Sequence, residues 1–443
     1  MKMKMINKMG WLGMSLAFTT MMTACSPGSS AEAPSTGGKT VVTLSVQQDS
    51  EFYRAVEKKF EQAYPDIDLQ IQAYKGISEK MEGPDYEKYQ KTAGTALLSG
   101  KGADIYETGS LPASDYVSKK LFLDMDDYLK QSKTLKQEDL QMNVLNALKV
   151  NGGTYIIPSG FSLRAFLGDG DVLKQAEIDD KSWTWQEWKK ISKSLITSGQ
   201  QAGSAHRYAL PNNPPDMLLQ EMVFDGYNQF VDVAGRKAKF DSPAFIFMMR
   251  EINEMYQEKL MTTEPVETEN QLFYSAVIQG PADFINVPYT YFANPKLLYK
   301  PHSGNSGAMR IIPSYTFAIQ AKSPVAEQAW TFMEFLLSDE VQSLQSREGF
   351  SLLRSLNDKQ FSELQQQVKS GTYKLPDGKL ASVPEGQFKV FQDMMDTADN
   401  FAMMDVKILS IIGEEAGAFF SGQKTAEDVA KLIQNKATTY LNE

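Results

Sequence analysis

Cysteine occurs once in the 443 residues, at Cys25, and histidine twice, at His206 and His302. One thiol excludes an intramolecular disulfide, so the fold must rest on its apolar core. Two histidines far apart in the chain do not supply the convergent ligand set that zinc requires, and hydrogen-bonded or solvent-facing rings are expected for both. The signatures of catalysis are missing as well. "GTALLSGKG" sets the glycines of a phosphate loop one residue too far apart, Gly94 to Gly100, and has Gly102 where Ser or Thr would hold magnesium. "GDGDVL" at 168–173 lacks the last glycine of a dinucleotide fingerprint, and "DMDDYL" at 124–129 lacks the sixth-position glycine of a calcium loop. No Gly-x-Ser-x-Gly elbow is present. No enzyme activity, cofactor or metal is expected. Carboxylate pairs for glycoside hydrolysis are set by space rather than spacing, which leaves a lipid-anchored glycan-acting enzyme as an alternative.

The N-terminus accounts for the lone cysteine. Lys2, Lys4 and Lys8 open the chain, and no acidic residue precedes Cys25. The apolar stretch from about Met9 to Ala24 is shorter than the roughly 20 residues that span a bilayer, and Ser15, Thr19, Thr20 and Thr23 dilute it. A basic n-region, a short apolar h-region and small residues before a cut define a secretory signal. Met22-Thr23-Ala24-Cys25 resembles a bacterial lipoprotein signal, with Met where Leu is usual. The resemblance implies a signal peptide at 1–24, lipidation of Cys25, and anchoring to the outer face of the bacterial cytoplasmic membrane. "SPGSSAEAPSTGGKT" then reads as a flexible tether over 25–39. Removing the signal takes away three lysines and no acids, so the mature net charge is more negative than −10. Such a surface argues against a nucleic-acid partner. Hydrophobic residues at 42% suffice for a large core, divided between two domains.

Along the mature chain, strand and helix patterns alternate. "TVVTLSV" (40–46) is β-rich, and Phe52, Val56, Phe60 and Ala63 follow at helical spacing until Pro65. "DIDLQIQAY" alternates as a half-buried strand does. "YEKYQKTAGTALLSG" predicts a helix ending at Gly100, and "ADIYETG" (103–109) a strand entering a loop. "NGGTYIIPSGFSLRAFLG" predicts extended chain after an Asn-Gly turn. Thr184 and Glu187 stand at capping-box spacing, Pro243 fits the first turn of a helix, and Thr425 with an acid three residues on starts the last one. The alternation predicts an α/β fold of two lobes.

"FEQAYPDIDLQI", "ALLSGKGADIYETG", "NGGTYIIP", "WTWQEWKKISKSL", "VIQGPADFINVPY", "SPVAEQAWTFMEFLLSDE" and "KTAEDVAKLIQNKATTYLNE" resemble, in order and spacing, the family 1 extracellular solute-binding proteins of ABC importers. The likeness is to the carbohydrate-binding, maltose-binding-protein-like group, and it covers nearly all of the mature chain. It implies a type II periplasmic-binding-protein-like fold, two sheets flanked by helices with the ligand between them. Crossings are implied near "TYIIPSGFS", "DFINVPY" and "LLSDEV". Lobe one would then hold 40–158 and 287–337, and lobe two 159–286 and 338–443. The implied function is capture of a carbohydrate, an oligosaccharide, by a monomer that delivers it to permease subunits driven by a partner ATPase. A non-sugar solute such as a peptide or polyamine is the other alternative.

A sugar site needs amides or carboxylates for hydroxyls and aromatics for ring faces. Gln47, Gln48 and Asp49 follow the first strand, and Glu107 and Gly109 follow "ADI". Phe161 and Arg164 lie at the first crossing, and Asn212 and Asn213 sit among prolines. Tyr289 holds the place where the family carries a stacking aromatic. Ser314 and Tyr315 replace a Gly-rich turn common in that family. Trp183, Trp185, Trp188 and Trp330 are expected in the core. Phe401, Met403 and Met404 could form an adaptable apolar wall.

Overall fold

The structure is a computed structural model describing residues 35–203, 205–233, 235–302 and 309–442. The expected signal peptide, Cys25 and most of the tether lie outside the described residues. The chain begins as strand–helix–strand: β1 (Lys39–Gln48), α1 (Glu51–Ala63) and β2 (Ile67–Lys75). Ser50 caps α1 by accepting from the Tyr53 N–H at 3.3 Å. Phe52, Tyr53, Val56 and Phe60 form its buried stripe, whereas Ala63 is exposed. β1 and β2 are parallel, as a helical crossover requires.

α2 (Gly83–Ser99) ends on Gly100 in the left-handed conformation and leads to β3 (Ile105–Glu107), parallel to β1 on its other edge, and then to the short α3 (Ala113–Ser118). β4 (Ile157–Asp169) is the central element. Its first half pairs with β7 (Arg310–Ile319), whose far end pairs with β3. Its second half pairs with β5 (Phe273–Ile278) and β6 (Pro295–Leu298). All three pairings of β4 are antiparallel, and with the two-residue strand Ser35–Thr36 antiparallel to the start of β1 the result is one eight-stranded sheet among the described residues. At about 3.3 Å per residue, β4 is long enough to serve both ends of the molecule.

Side chains alternate across β4, and the core divides accordingly. Leu163, Ala165 and Leu167 belong to the first apolar cluster, which includes Val42, Leu44, Phe60 and Ile105. That cluster continues to Phe361 of α9 (Arg354–Lys369) and Phe391 of α10 (Glu385–Asp396). Phe166 points the other way into the second cluster, stacked on Phe273 at 5.2 Å. There it meets α4 (Trp185–Gln201), α5 (Pro215–Asp225), α6 (Pro243–Gln257), α11 (Val406–Phe420) and α12 (Ala426–Asn442). Trp183, Trp185 and Trp188 are buried in this cluster, and Trp330 of α8 (Ala326–Leu336) in the first. The Thr184–Glu187 capping box forms at α4, with the Thr184 N–H donating to Glu187 Oε2 at 2.7 Å.

One stretch differs from expectation. The segment read as the second crossing, 283–289, is helix α7 (Asp283–Tyr291), with Pro288 buried inside it. The chain returns to the first half later, along β7, whose start pairs with β4 and whose end pairs with β3. Pro288 is tolerated because only the carbonyl one turn earlier in a short helix loses its partner.

Candidate functional site

Three groups of side chains are candidates for a solute site, the second on the strands that link the halves and the third around a cavity between them. The first lies at the carboxyl ends of β1 and β3. The Gln47 N–H donates to Glu107 Oε2 at 3.0 Å and its Nε2 to Oε1 at 3.3 Å. Gly109 opens beside them, since a Cβ there would meet only Gln47 Nε2, at 3.5 Å. Glu107 is 8% exposed. Burial pushes its carboxyl up to about 7, against the Gln47 N–H and the Tyr53 hydroxyl, which favour the charged form. Tyr53 is itself pushed well up, by burial first and then by the Glu107 charge.

Tyr315 completes this group. Its ring stacks on Phe52 at 5.3 Å with an interplanar angle of 8°, and meets Tyr53 edge-on at 5.4 Å. Its hydroxyl donates to Glu348 Oε1 at 3.4 Å. Its φ of 37° is the left-handed conformation that glycine adopts freely and a tyrosine adopts only under tertiary constraint. The sequence had put a non-glycine pair in place of a Gly-rich turn, and the chain keeps the backbone angle that glycine would favour.

The second group gathers around Arg164. Lys300 Nζ lies 2.9 Å from Glu221 Oε1 and 2.5 Å from Asp225 Oδ2, and Arg310 Nη1 lies 3.0 Å from Asp225 Oδ1. Arg164 Nε approaches Glu221 Oε1 at 3.5 Å. Arg310 lies over the Phe224 ring at 3.9 Å. Burial pulls the Arg310 guanidinium down from its ordinary range, and Asp225 works against that. Of these residues only Arg164 was singled out from the sequence. Glu221 and Asp225, four apart in the apolar run "MLLQEMVFD", and Arg310 in "AMRII" were the signals available.

The third group lines a cavity of about 360 Å³ between the halves, including Ser118, Lys149, Asn228, Asp232, Phe401 and Met403. Phe401 and Met403 line this cavity, whereas Met404, grouped with them from the sequence, packs on the second core.

The remaining candidates are held elsewhere. Gln48 Nε2 donates to the carbonyls of Gly76, at 3.3 Å, and Glu79. Asp49 is buried and accepts from the Ser50 N–H at 2.9 Å and from the Arg54 guanidinium, Nε at 2.8 Å. Phe161 is fully buried against Phe350, 5.6 Å between ring centres. The Asn212 N–H donates to Glu264 O at 3.1 Å and the Asn213 N–H to Thr262 O at 3.2 Å. Tyr289, on α7, packs on the first core and donates its hydroxyl to Ser382 O at 2.6 Å. His206 bonds Gln200 and the Lys259 carbonyl. Among the described residues no group of three His, Cys, Asp or Glu is placed to hold a metal, and no helix is long and apolar enough to cross a membrane.

Two sheet regions sharing one long strand, with polar groups where the halves meet, define a two-lobed α/β binding fold. Residues 44–343 match the family described as bacterial extracellular solute-binding protein, and the chain belongs to it. The family is extracellular and binds solutes rather than converting them, so the protein is an exported solute-binding protein. No curated protein matches its sequence. Among solved structures it is similar to the sugar-binding protein MalE from Xanthomonas citri, at TM-score 0.61 and 15% identity over 91% of this chain and 98% of that one. A family 1 extracellular solute-binding protein from Alicyclobacillus acidocaldarius gives 0.58 and 16% over 92% and 100%. An ABC substrate-binding protein from Listeria monocytogenes, in complex with cycloalternan, gives 0.57 and 15% over 91% and 99%.

Proposed function

We propose that the solute is a carbohydrate, an oligosaccharide, and that the chain works as a lipid-tethered receptor. The observation that carries this reading is the chemistry gathered at the ends of β1 and β3. The Gln47 amide and Glu107 carboxyl suit sugar hydroxyls, Gly109 permits close backbone approach, and Tyr315 offers an aromatic ring. Ligands of α/β proteins favour the carboxyl ends of strands and the junction between domains. The sugar-binding MalE and the cycloalternan complex among similar structures support the same class of ligand. Gln48, Asp49, Phe161, Arg164, Asn212, Asn213 and Tyr289 remain further candidates to touch or shape the ligand.

The halves would pivot about β4 and β7, the two strands that pass between them. A ligand touching both halves favours the closed form by its differential contacts. The closed receptor then docks on permease subunits, and the energy for transport comes from a partner ATPase. Cys25 carries the lipid that keeps the receptor at the outer face of the cytoplasmic membrane.

The test is a melting-shift screen of saccharides, peptides and polyamines, with recovery and mass analysis of each ligand that stabilises. A saccharide at 100 times its Kd should add about 2.7 kcal/mol to stability and be recovered unchanged. Stabilisation by peptides or polyamines alone would overturn the sugar assignment, and recovery of cleaved glycan would favour an enzyme.

A further inference from the structure

The charged cluster around Arg164 is unbalanced. Arg164 and Arg310 are register partners on antiparallel β4 and β7, so their side chains leave the sheet on the same face, opposite each other. Like charges so placed repel. Lys300 adds a third cation, and Glu221 and Asp225, one turn apart on α5, supply only two negative charges. Burial alone would raise the Glu221 carboxyl, but Lys300, Arg164 and Arg310 together hold it at about 2, so it is ionised. One positive charge is therefore left over in a site largely removed from water, where charge imbalance is costly.

The leftover charge coincides with unused donors. Arg310 is 6% exposed, and its Nε has no hydrogen-bond partner among the described residues; the Nε of Arg164 has only its 3.5 Å ion pair with Glu221, which lacks hydrogen-bond geometry. Buried donors in folded proteins are nearly always paired, so an unpaired guanidinium edge marks a place for an acceptor. Arg164 is the most exposed of the five side chains, at 26%, and is the one a solute can reach.

We propose that this cluster binds an anionic group, a carboxylate borne by the solute, with Arg164 as its principal contact. Resting on the carbohydrate reading above, this makes the ligand an acidic saccharide, one that contains uronate residues. A carboxylate would accept from the exposed part of the Arg164 guanidinium, restore neutrality, and offset the repulsion between the facing arginines. Because β4 and β7 pass between the halves while α5 belongs to the second, an anion held here would also favour one relative placement of the two.

Calorimetric titration with trigalacturonate and uronate trisaccharides from alginate, set against maltotriose and other neutral trisaccharides, tests this. The acidic set should bind at least tenfold more tightly than the neutral set. Arg164→Gln should abolish that preference and Arg164→Lys should retain part of it. Neutral trisaccharides binding as tightly as acidic ones would overturn the anion site and leave the carbohydrate reading standing. The same preference persisting in Arg164→Gln would also overturn it. Binding of neither class would remove both readings. Should Arg164→Gln fail to fold, the parent's preference and the Arg164→Lys variant decide the question.

Discussion

Replacing Glu107 by Gln changes how stability depends on pH, and the structure gives the size of the change. The carboxyl sits at about 7 in the folded chain against an ordinary 4.5, because burial disfavours its charge. Between these values the folded state holds a proton that the unfolded state has released. The contribution is therefore fully present below about 4.5 and is lost as pH rises through about 7. Integrated from pH 5 to pH 8, it amounts to about 2.5 kcal/mol of stability lost by the parent on this account. Glu107→Gln keeps an acceptor for the Gln47 N–H but carries no titrating proton. Urea unfolding of parent and variant at pH 5 and pH 8 isolates the effect, since all other groups cancel in the difference. The variant should gain about 2.5 kcal/mol relative to the parent between the two pH values. Parallel pH profiles for the two proteins would refute the burial argument and show an ordinary solvated carboxylate.

Three further outcomes are expected. Asp225→Asn should destabilise the fold by roughly 3–5 kcal/mol by leaving Arg310 and Lys300 short of a negative charge, and adding Arg310→Met should restore part of it, as read by denaturant unfolding. Tyr315→Ala should weaken binding of an identified saccharide by roughly 1–3 kcal/mol through lost ring contact, with calorimetry as the check. Parent-like affinity in a folded variant would remove Tyr315 from the site. Cys25→Ala should abolish lipid labelling, and unchanged labelling would refute the anchor.

Local signals made much of the fold legible. The apolar stripe of α1, the Thr184–Glu187 box and the Pro243 first turn each depend on neighbours within one or two helical turns, and each forms. Helix α7 was missed because Pro288, a residue that usually ends helices, sits inside it. The site was legible only in pieces. Gln47 and Glu107 lie 60 residues apart and meet through parallel pairing that a single sequence does not display. Arg164 was noticed alone, whereas its meaning comes from Glu221, Asp225, Lys300 and Arg310, which two separate elements and a loop bring to it. Asp49 has the right chemistry for a ligand contact, and the structure shows its oxygens engaged by Ser50 and Arg54. The conformation of Tyr315 likewise follows from packing against Phe52 and Tyr53, not from its own preference.

Small-angle X-ray scattering of the chain without ligand, and with a saccharide that binds in calorimetry, tests the central claim most directly. If the halves close on a sugar about β4 and β7, the radius of gyration should fall on saturation and return when the sugar is removed. An unchanged profile at saturation would contradict capture by closure.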